Sequence, residues 1–179
     1  MRRGRGASDG DYAEGYDCSA STLASGVERG LTDIDAALAF TLAQSWADRR
    51  RFVIGGMSRG GFLSVLYPSS RRLDVKGVIN FAGGWTVERC DRVTHFNEES
   101  CGRAGRWTLP MLWLYSENDR NCSATAIRAY HRAFTSNGGA ADLRIFPPIG
   151  HDGHILLPPA VAVWRHDVAE FLKRIGLGD

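Results

Sequence analysis

No hydrophobic run in this 179-residue sequence approaches the roughly 20 residues that a membrane-spanning helix needs. We therefore expect no transmembrane helix and no membrane partner. We also expect no secretory signal after Met1, because the opening residues MRRGRGASDG are polar and rich in glycine rather than apolar. The sequence as given is typical of a cytoplasmic protein, and a periplasmic or secreted protein is expected only if a signal peptide precedes Met1.

A large excess of charge of one sign is lacking too. The formal net charge is +2 at pH 7, which is too small to indicate a nucleic-acid partner. Arg2, Arg3 and Arg5 form one local basic cluster, but RNA binding would need many more Arg-Gly units or interleaved aromatic residues. We expect this cluster to lie in a loop, and we expect no nucleic-acid partner.

The four cysteines contain no C-x-x-C pair, which argues against a zinc ribbon or a thioredoxin-type redox site. They are Cys18, Cys90, Cys101 and Cys122. Cys90 and Cys101 lie in one glycine-containing segment, so they are expected either to form a disulfide in an exported protein or to remain unrelated thiols. The sequence favours neither alternative.

Apolar runs of strand length are present, and they alternate with helical patterns along the chain. The predicted strands cover residues 51–56, 75–81, 110–115 and 142–146. A glycine-rich and charged stretch at residues 83–108 predicts a long loop over a site. The resulting order, helix–strand–helix–strand–loop–strand–helix–strand–helix, predicts a parallel sheet with helices on both faces in a single domain, residues 1–179.

Two helices are predicted in the first half of the chain. The first is indicated by an apolar stripe with helical spacing at Leu31, Ile34, Leu38, Leu42 and Trp46. Thr32 with Asp35 resembles a capping box at its start. The second helix follows Ser58 and is expected to stop near Pro68.

Two further helices are predicted in the second half. One covers residues 127–134 and ends at Asn137-Gly138, because an asparagine and a glycine commonly close a helix. The last opens at Pro158-Pro159 and ends near Gly176, in keeping with the preference for proline at the start and glycine at the end.

The most informative stretch is Gly56-Met57-Ser58-Arg59-Gly60, which reads G-x-S-x-G between a predicted strand and a predicted helix. This is the context of a nucleophile elbow. In such a turn the serine takes strained backbone angles, and the two glycines keep the strand and the helix from colliding. Chance gives roughly 0.2 matches to the bare pattern in a chain of this composition, so a base and an acid must support the interpretation.

Candidates for that base and acid are present in a sensible order. A serine hydroxyl needs a base to accept its proton and a carboxylate to orient that base, and in α/β-hydrolases they follow in the order serine, acid, histidine. Asp119 and Glu117 come after the third predicted strand, and His151 and His154 come after the fourth. Because the carboxyl ends of parallel strands meet at one edge of a sheet, we expect these groups to lie near Ser58.

A metal site is the competing interpretation of the two histidines. Their H-x-x-H spacing also occurs in zinc sites, but no third ligand and no H-E-x-x-H helix accompanies it. We therefore expect no metal and no cofactor.

Four stretches make the chain resemble an α/β-hydrolase of the dienelactone-hydrolase-like type. They are RRGRGASDG near the start, GGMSRGG at the elbow, LPMLWLYSENDRN around the acid and FPPIGHDGH around the base. The resemblance runs from residue 1 to about the C-terminus. Dienelactone hydrolase itself uses a cysteine as nucleophile, whereas this chain has Ser58. The resemblance is therefore to serine-using, esterase-like relatives and does not extend to the lactone.

The resemblance implies a choice among the candidates. It places the base at His154, the second histidine of the H-D-G-H run, with His151 as the alternative. It places the acid at Asp119, with Glu117 as the alternative. The backbone N–H of Arg59, the residue after the nucleophile, is expected to be one donor of the oxyanion hole.

The resemblance also implies that RGRGASDG follows the fourth strand of a larger sheet. The N-terminal part of the sheet, and with it the second oxyanion donor, is therefore expected to be missing. Strand 51–56 would then have an exposed edge, and we expect an upstream segment or a second copy of the chain, in a homo-oligomer, to cover it.

Together these observations predict a serine hydrolase that cleaves a carboxylic ester or a related acyl bond of a small molecule. A peptidase of the prolyl-oligopeptidase type shares the fold and the residue order and is the first alternative, although no propeller domain accompanies this chain. A catalytically inactive hydrolase-like fragment is the second alternative.

Overall fold

A computed structural model of the chain describes residues 2–4, 6–12, 14, 17–71, 75–157 and 159–178. Within them, four strands form one sheet: β1 (Val53–Met57), β2 (Gly77–Phe81), β3 (Pro110–Ser116) and β4 (Ala140–Phe146). They lie in the order β1-β2-β3-β4, and every neighbouring pair is parallel. All four predicted strands are present, and their bounds differ from the predicted ones by at most two residues.

The described residues also form five helices: α1 (Ala20–Leu42), α2 (Arg59–Arg71), α3 (Arg92–Ala104), α4 (Ala124–Ser136) and α5 (Val161–Arg174). The start of α4 is capped by Ser123, whose side chain accepts the N–H of Ala126. Its end at Asn137 is followed by Gly138 in the left-handed region at φ +101°, as the sequence predicts. Of the predicted opening of α5 at Pro158-Pro159, Pro158 lies outside the described residues and Pro159 lies in a turn two residues before the helix.

Helices cover both faces of the sheet. On one face, Phe171 of α5 joins a buried cluster with Ile79 and Phe81 of β2 and with Leu112 and Leu114 of β3. On the other face, Trp113 of β3 packs against Phe134 of α4, with ring centroids 5.2 Å apart. Alternate residues of one strand thus point to opposite faces, and β2 is buried along its whole length.

The chain divides into two compact units, Met1–Arg49 with Thr86–Phe96, and Arg50–Trp85 with Asn97–Asp179. The second unit contains the sheet with α2, α4 and α5. The first contains α1. The prediction of a single domain stays a prediction.

Helix α1 begins far earlier than predicted. Ser19 caps it by accepting the N–H of Thr22, and its buried face is formed by Leu23, Gly26, Val27, Gly30 and Leu31. The predicted capping box at Thr32 is wrong, because the Thr32 hydroxyl donates to the carbonyl of Glu28 inside the helix. Trp46 lies beyond the helix and is 74% exposed, so the predicted stripe marks only the later half of α1.

The predicted loop at residues 83–108 contains helix α3. Among the described residues, the buried face of α3 consists of Asn97, Ser100, Cys101 and Ala104, which are small or polar. Hydrophobic periodicity therefore gave no sign of a helix, although the i, i+3, i+4, i+7 spacing is helical.

Pro68 does not end α2, which continues to Arg71. Proline removes one backbone hydrogen bond, but Leu66, Tyr67 and Pro68 are all buried. Burial of these side chains outweighs the lost bond, so the predicted stop near Pro68 is wrong.

The cysteine pairing differs from both alternatives. Cys90 forms a disulfide with Cys18, 72 residues away in sequence, whereas Cys101 and Cys122 are free and buried. Cys18 and Cys90 both belong to the first unit and Cys101 to the second. Proximity in sequence is therefore not a guide to the partner of Cys90, which lies 72 residues away.

Arg2 and Arg3 lie outside helices and strands, as expected. Arg2 pairs with Glu14 and Arg3 pairs with Asp33. Arg5 lies outside the described residues.

Strand β1 lies at one end of the strand order, so its outer edge pairs with no strand among the described residues. That an upstream segment or a second copy covers this edge stays a prediction. Across the part of the chain that the structure describes, no helix has both the length and the apolar character to cross a bilayer.

We expect thiol titration to count two thiols in the chain unfolded without reductant and four after reduction. In the folded protein neither free thiol should react quickly, because both are buried and burial raises the pKa of the Cys122 thiol to about 12. Dithionitrobenzoate absorbance measures all three states. Four thiols in the unreduced, unfolded chain would contradict the Cys18–Cys90 pairing.

Candidate active site

Ser58 lies in the turn between β1 and α2 with φ +57°, in the left-handed region that non-glycine residues rarely adopt. Such a conformation costs on the order of 1–3 kcal/mol and persists only where surrounding bonds fix it. Here the Ser58 N–H donates to the carbonyl of Phe81 at 3.0 Å. The Ser58 carbonyl accepts the N–H of Phe62 at 3.0 Å. The backbone of this residue is thus held from both sides.

The glycines of the motif allow the close approach that this turn requires. A Cβ atom on Gly56 would lie 2.5 Å from the carbonyl carbon of Gly60, which no side chain tolerates. The strand and the helix can therefore meet only when position 56 carries no side chain. We refer to residues 56–60 as the elbow.

The structure brings together the three residues preferred from the sequence. The Ser58 Oγ lies 2.9 Å from His154 Nε2, and His154 Nδ1 lies 3.0 Å from Asp119 Oδ1 and 3.1 Å from Oδ2. Asp119 follows β3 and His154 follows β4. Both partners are buried, with 7% and 8% of their surfaces exposed. This arrangement can move a proton away from the serine hydroxyl.

Asp119 is fixed by more than its contact with the histidine. Its Oδ1 also accepts the N–H groups of Asn121 at 2.8 Å and Cys122 at 2.9 Å. The carboxylate is thus held in one orientation. The alternatives from the sequence, Glu117 and His151, are exposed, and neither takes part in these hydrogen bonds.

Asp152 ties the histidine loop to the acid loop. Its Oδ1 accepts the N–H of His154 at 2.9 Å and that of Arg120 at 3.2 Å. The hydrogen bond from the His154 backbone is the main reason that the pKa of Asp152 is lowered, and the Arg120 N–H adds to it. This carboxylate supports the loop rather than orienting the imidazole, as its position in the sequence suggests.

Asn118 makes a second link between the same loops, one that the sequence did not reveal. Its Oδ1 accepts the N–H of Ile149 at 2.9 Å and the hydroxyl of Ser116 at 2.8 Å. Its Nδ2 donates to the carbonyls of Ile149 at 3.3 Å and Gly150 at 3.2 Å. A polar residue directly before Asp119 was the only available signal.

Arg59 is the first residue of α2. The first N–H groups of a helix have no intrahelical acceptor, and the helix dipole makes them favourable donors to negative charge. The Arg59 guanidinium lies 4.8 Å from the centroid of the Trp85 ring, in a cation–π contact. The side chain therefore packs on Trp85, and the role of the Arg59 N–H as an oxyanion donor stays a prediction.

Metal ligands are not gathered anywhere in the described ranges. No group of three or more His, Cys, Asp and Glu side chains lies close enough to hold an ion there.

Comparisons with known proteins give one family match. The family model of the dienelactone hydrolase family matches residues 3–153, a range that contains Ser58 and Asp119 and ends one residue before His154. A search of curated protein sequences found no match.

Several solved structures are similar to this chain. Est1E from Butyrivibrio proteoclasticus, with ferulic acid bound, is 16% identical with a TM-score of 0.64, covering 97% of this chain and 74% of that one. SOBER1 from Arabidopsis thaliana is 20% identical with a TM-score of 0.55, covering 89% and 67%. An acylaminoacyl peptidase from Pyrococcus horikoshii is 18% identical with a TM-score of 0.59, covering 80% and 27%. These likenesses show the α/β-hydrolase fold and confirm the predicted fold class.

We expect Asp152→Asn to lower the melting temperature at pH 7 by about 2 °C, because a charged acceptor of two N–H groups is lost. The pKa of Asp152 is lowered below 3.8 in the folded chain. Its contribution is therefore complete above the unfolded-state pKa of about 4 and is lost as the pH falls through the lowered value.

Melting curves from pH 7 to pH 2 measure this effect, and the difference between the two proteins should vanish at the acid end. Glu170→Gln, which neutralises an exposed carboxylate on α5, is the matched control. A difference that stays constant at every pH would contradict the assignment of the hydrogen bonds to an ionised Asp152.

Proposed function

The chain belongs to the dienelactone hydrolase family, and we propose that it is a serine hydrolase that cleaves a carboxylic ester or a related acyl bond through an acyl-enzyme. The family membership confirms the resemblance drawn from the sequence and makes the protein a hydrolase of the α/β-hydrolase fold. The observation that carries the proposal is the continuous chain of hydrogen bonds from Ser58 through His154 to Asp119.

In the proposed first half-reaction, Ser58 Oγ attacks the carbonyl carbon of the ester while His154 Nε2 accepts the hydroxyl proton. The carbonyl oxygen of the resulting tetrahedral intermediate carries a negative charge, which the N–H of Arg59 stabilises. When the intermediate collapses, the carbon–oxygen bond to the alcohol breaks. His154 gives its proton to the leaving alcohol, and the acyl group remains on Ser58.

In the second half-reaction, water replaces the serine as nucleophile. His154 accepts a proton from the water as its oxygen attacks the acyl carbon, and the second tetrahedral intermediate expels Ser58 Oγ. The proton then returns to the serine, and the carboxylic acid leaves. Asp119 accepts the Nδ1–H of His154 throughout, which fixes the tautomer and stabilises the imidazolium formed in each step.

Ser58, His154 and Asp119 do not determine which acyl group the enzyme accepts. Est1E, which is similar in fold, is known from its structure with ferulic acid bound. Feruloyl esters are therefore sensible first substrates, together with p-nitrophenyl esters of short acids, whose activated leaving group needs little help from a specific pocket.

A peptidase is the second candidate function, and the similarity in fold to the acylaminoacyl peptidase from Pyrococcus horikoshii favours it. Comparing the turnover of p-nitrophenyl esters with that of aminoacyl amides separates the two candidates. A catalytically inactive chain is the remaining alternative, and it would turn over neither kind of substrate.

We expect a fluorophosphonate probe to label the protein at one residue, Ser58, because its hydroxyl lies 2.9 Å from the imidazole that accepts its proton in the proposed mechanism. Ser58→Ala should abolish labelling and lower kcat/KM on an activated ester by about 10³-fold or more. Intact-mass spectrometry and ester kinetics measure the two effects. Ser69→Ala, on helix α2 directly after the elbow, is the matched control. Unchanged turnover by Ser58→Ala would overturn the proposal.

We expect His154→Ala and Asp119→Asn each to lower kcat/KM by about 10³- to 10⁴-fold. His151→Ala and Glu117→Gln are the matched controls and should stay within about twofold of the unmodified chain, because both residues are exposed. Only the neutral imidazole accepts a proton, so kcat/KM should also fall toward acid pH. A flat pH profile, or a larger loss in His151→Ala, would contradict His154 as the base.

A further inference from the structure

The last residue of β2 and the residues that follow it contact the nucleophile through backbone atoms on both sides. The N–H of Ser58 donates to the carbonyl of Phe81 at 3.0 Å. In the other direction, the N–H of Gly84 donates to the carbonyl of Ser58 at 3.3 Å. The position of the serine backbone therefore depends on how the segment 81–84 is held.

The Gly83–Gly84 peptide group of this segment is also held at its carbonyl, by the side chain of Tyr115. The carbonyl of Gly83 accepts the hydroxyl proton of Tyr115 at 2.7 Å. The carbonyl of Gly83 and the N–H of Gly84 belong to the same planar peptide unit, so they cannot rotate independently. A hydrogen bond that orients the Gly83 carbonyl therefore also orients the N–H that reaches Ser58.

The Tyr115 hydroxyl is itself oriented by Asn80. The Nδ2 group of Asn80 donates to the Tyr115 oxygen at 3.0 Å, which leaves the hydroxyl proton to point at Gly83. Both side chains are buried, with 2% of Asn80 and none of Tyr115 exposed. Burial raises the pKa of Tyr115 well above its usual value, so the hydroxyl remains a donor at any working pH.

The packing leaves Asn80 little freedom to move. A Cβ atom on Gly61 would lie 2.5 Å from the Asn80 Oδ1, and a Cβ atom on Gly83 would lie 2.0 Å from it. The amide is thus enclosed between the start of α2 and the segment after β2. Glycine at both positions is what makes room for it.

We propose that Tyr115, oriented by Asn80, is a positioning residue for the nucleophile, and that it acts through the Gly83–Gly84 peptide on the carbonyl of Ser58. The inference rests on the proposed function, since it concerns the serine that function requires. Tyr115 is fully buried, so its loss should slow the attack by Ser58 without weakening the binding of substrate. The expected result is slower formation of the acyl-enzyme at saturating substrate, with an unchanged affinity for the substrate.

The experiment compares Tyr115→Phe with Tyr130→Phe. Tyr130 is the matched control, because its hydroxyl is also buried and also accepts a hydrogen bond from an amide, that of Asn97 at 3.2 Å. Each variant loses one oxygen atom and at least one buried hydrogen bond to an amide side chain. Both are measured at a temperature at which near-ultraviolet circular dichroism shows them folded.

We expect Tyr115→Phe to lower the burst rate of p-nitrophenol release at saturating ester and the rate of fluorophosphonate labelling about tenfold, with the half-saturating ester concentration of the burst within twofold of the unmodified value. Tyr130→Phe should keep both rates within about twofold. Equal rates in the two variants would overturn the inference, as would a loss in Tyr115→Phe that falls on the half-saturating concentration of the burst alone. If Tyr115→Phe fails to fold, Asn80→Ala decides instead: labelling two- to threefold slower supports the inference, and unchanged labelling overturns it.

A second measurement separates this inference from the proposed function. Amide hydrogen exchange of Gly84 and of residues 58–62 should become faster in Tyr115→Phe than in Tyr130→Phe. Faster exchange in a chain that has no hydrolase activity would leave the positioning intact and reject the proposed function. Unchanged exchange in an active chain would reject the positioning and leave the function.

Discussion

The left-handed backbone of Ser58 is the constraint on which the rest of the candidate site depends. A residue at φ +57° between a strand and a helix presents its side chain beyond the carboxyl end of the strand. This strained conformation persists only where neighbouring hydrogen bonds offset its cost. The chain satisfies this need with an absent side chain at Gly56 and with backbone hydrogen bonds to Phe81 and Phe62. The elbow is therefore stable because β2 lies directly beside β1 in the sheet.

The other two groups of the site depend on a different device. Asp119 and His154 follow neighbouring parallel strands, so the topology brings their loops to the same edge of the sheet. Topology alone sets such positions only to within several ångströms. Hydrogen bonds from backbone N–H groups to the side-chain oxygens of Asn118 and Asp152 then join one loop to the other, and they fix the distances that proton transfer requires.

Much of the fold could be predicted because its strands are largely apolar and its elbow has a sequence signature. The failures have physical causes. Helix α3 buries small and polar residues, so it carries no hydrophobic period, and Pro68 is retained inside α2 by burial that a local rule does not consider. The chain order of serine, acid and histidine indicated the site. Its supports remained hidden, because Asn118 and Tyr115 bond to backbone atoms 31 and 32 residues away.

The disulfide between Cys18 and Cys90 encloses the strand, the turn and the helix that carry Ser58. Closing a loop with a sequence separation of 72 residues removes chain entropy from the unfolded state worth about 4 kcal/mol in the chain-entropy model. The segment with the strained serine thus lies inside a covalent ring. A single cut of the backbone between Cys18 and Cys90 therefore leaves one molecule rather than two. Reducing surroundings would remove the entropic contribution of the disulfide to the free energy of unfolding of the chain.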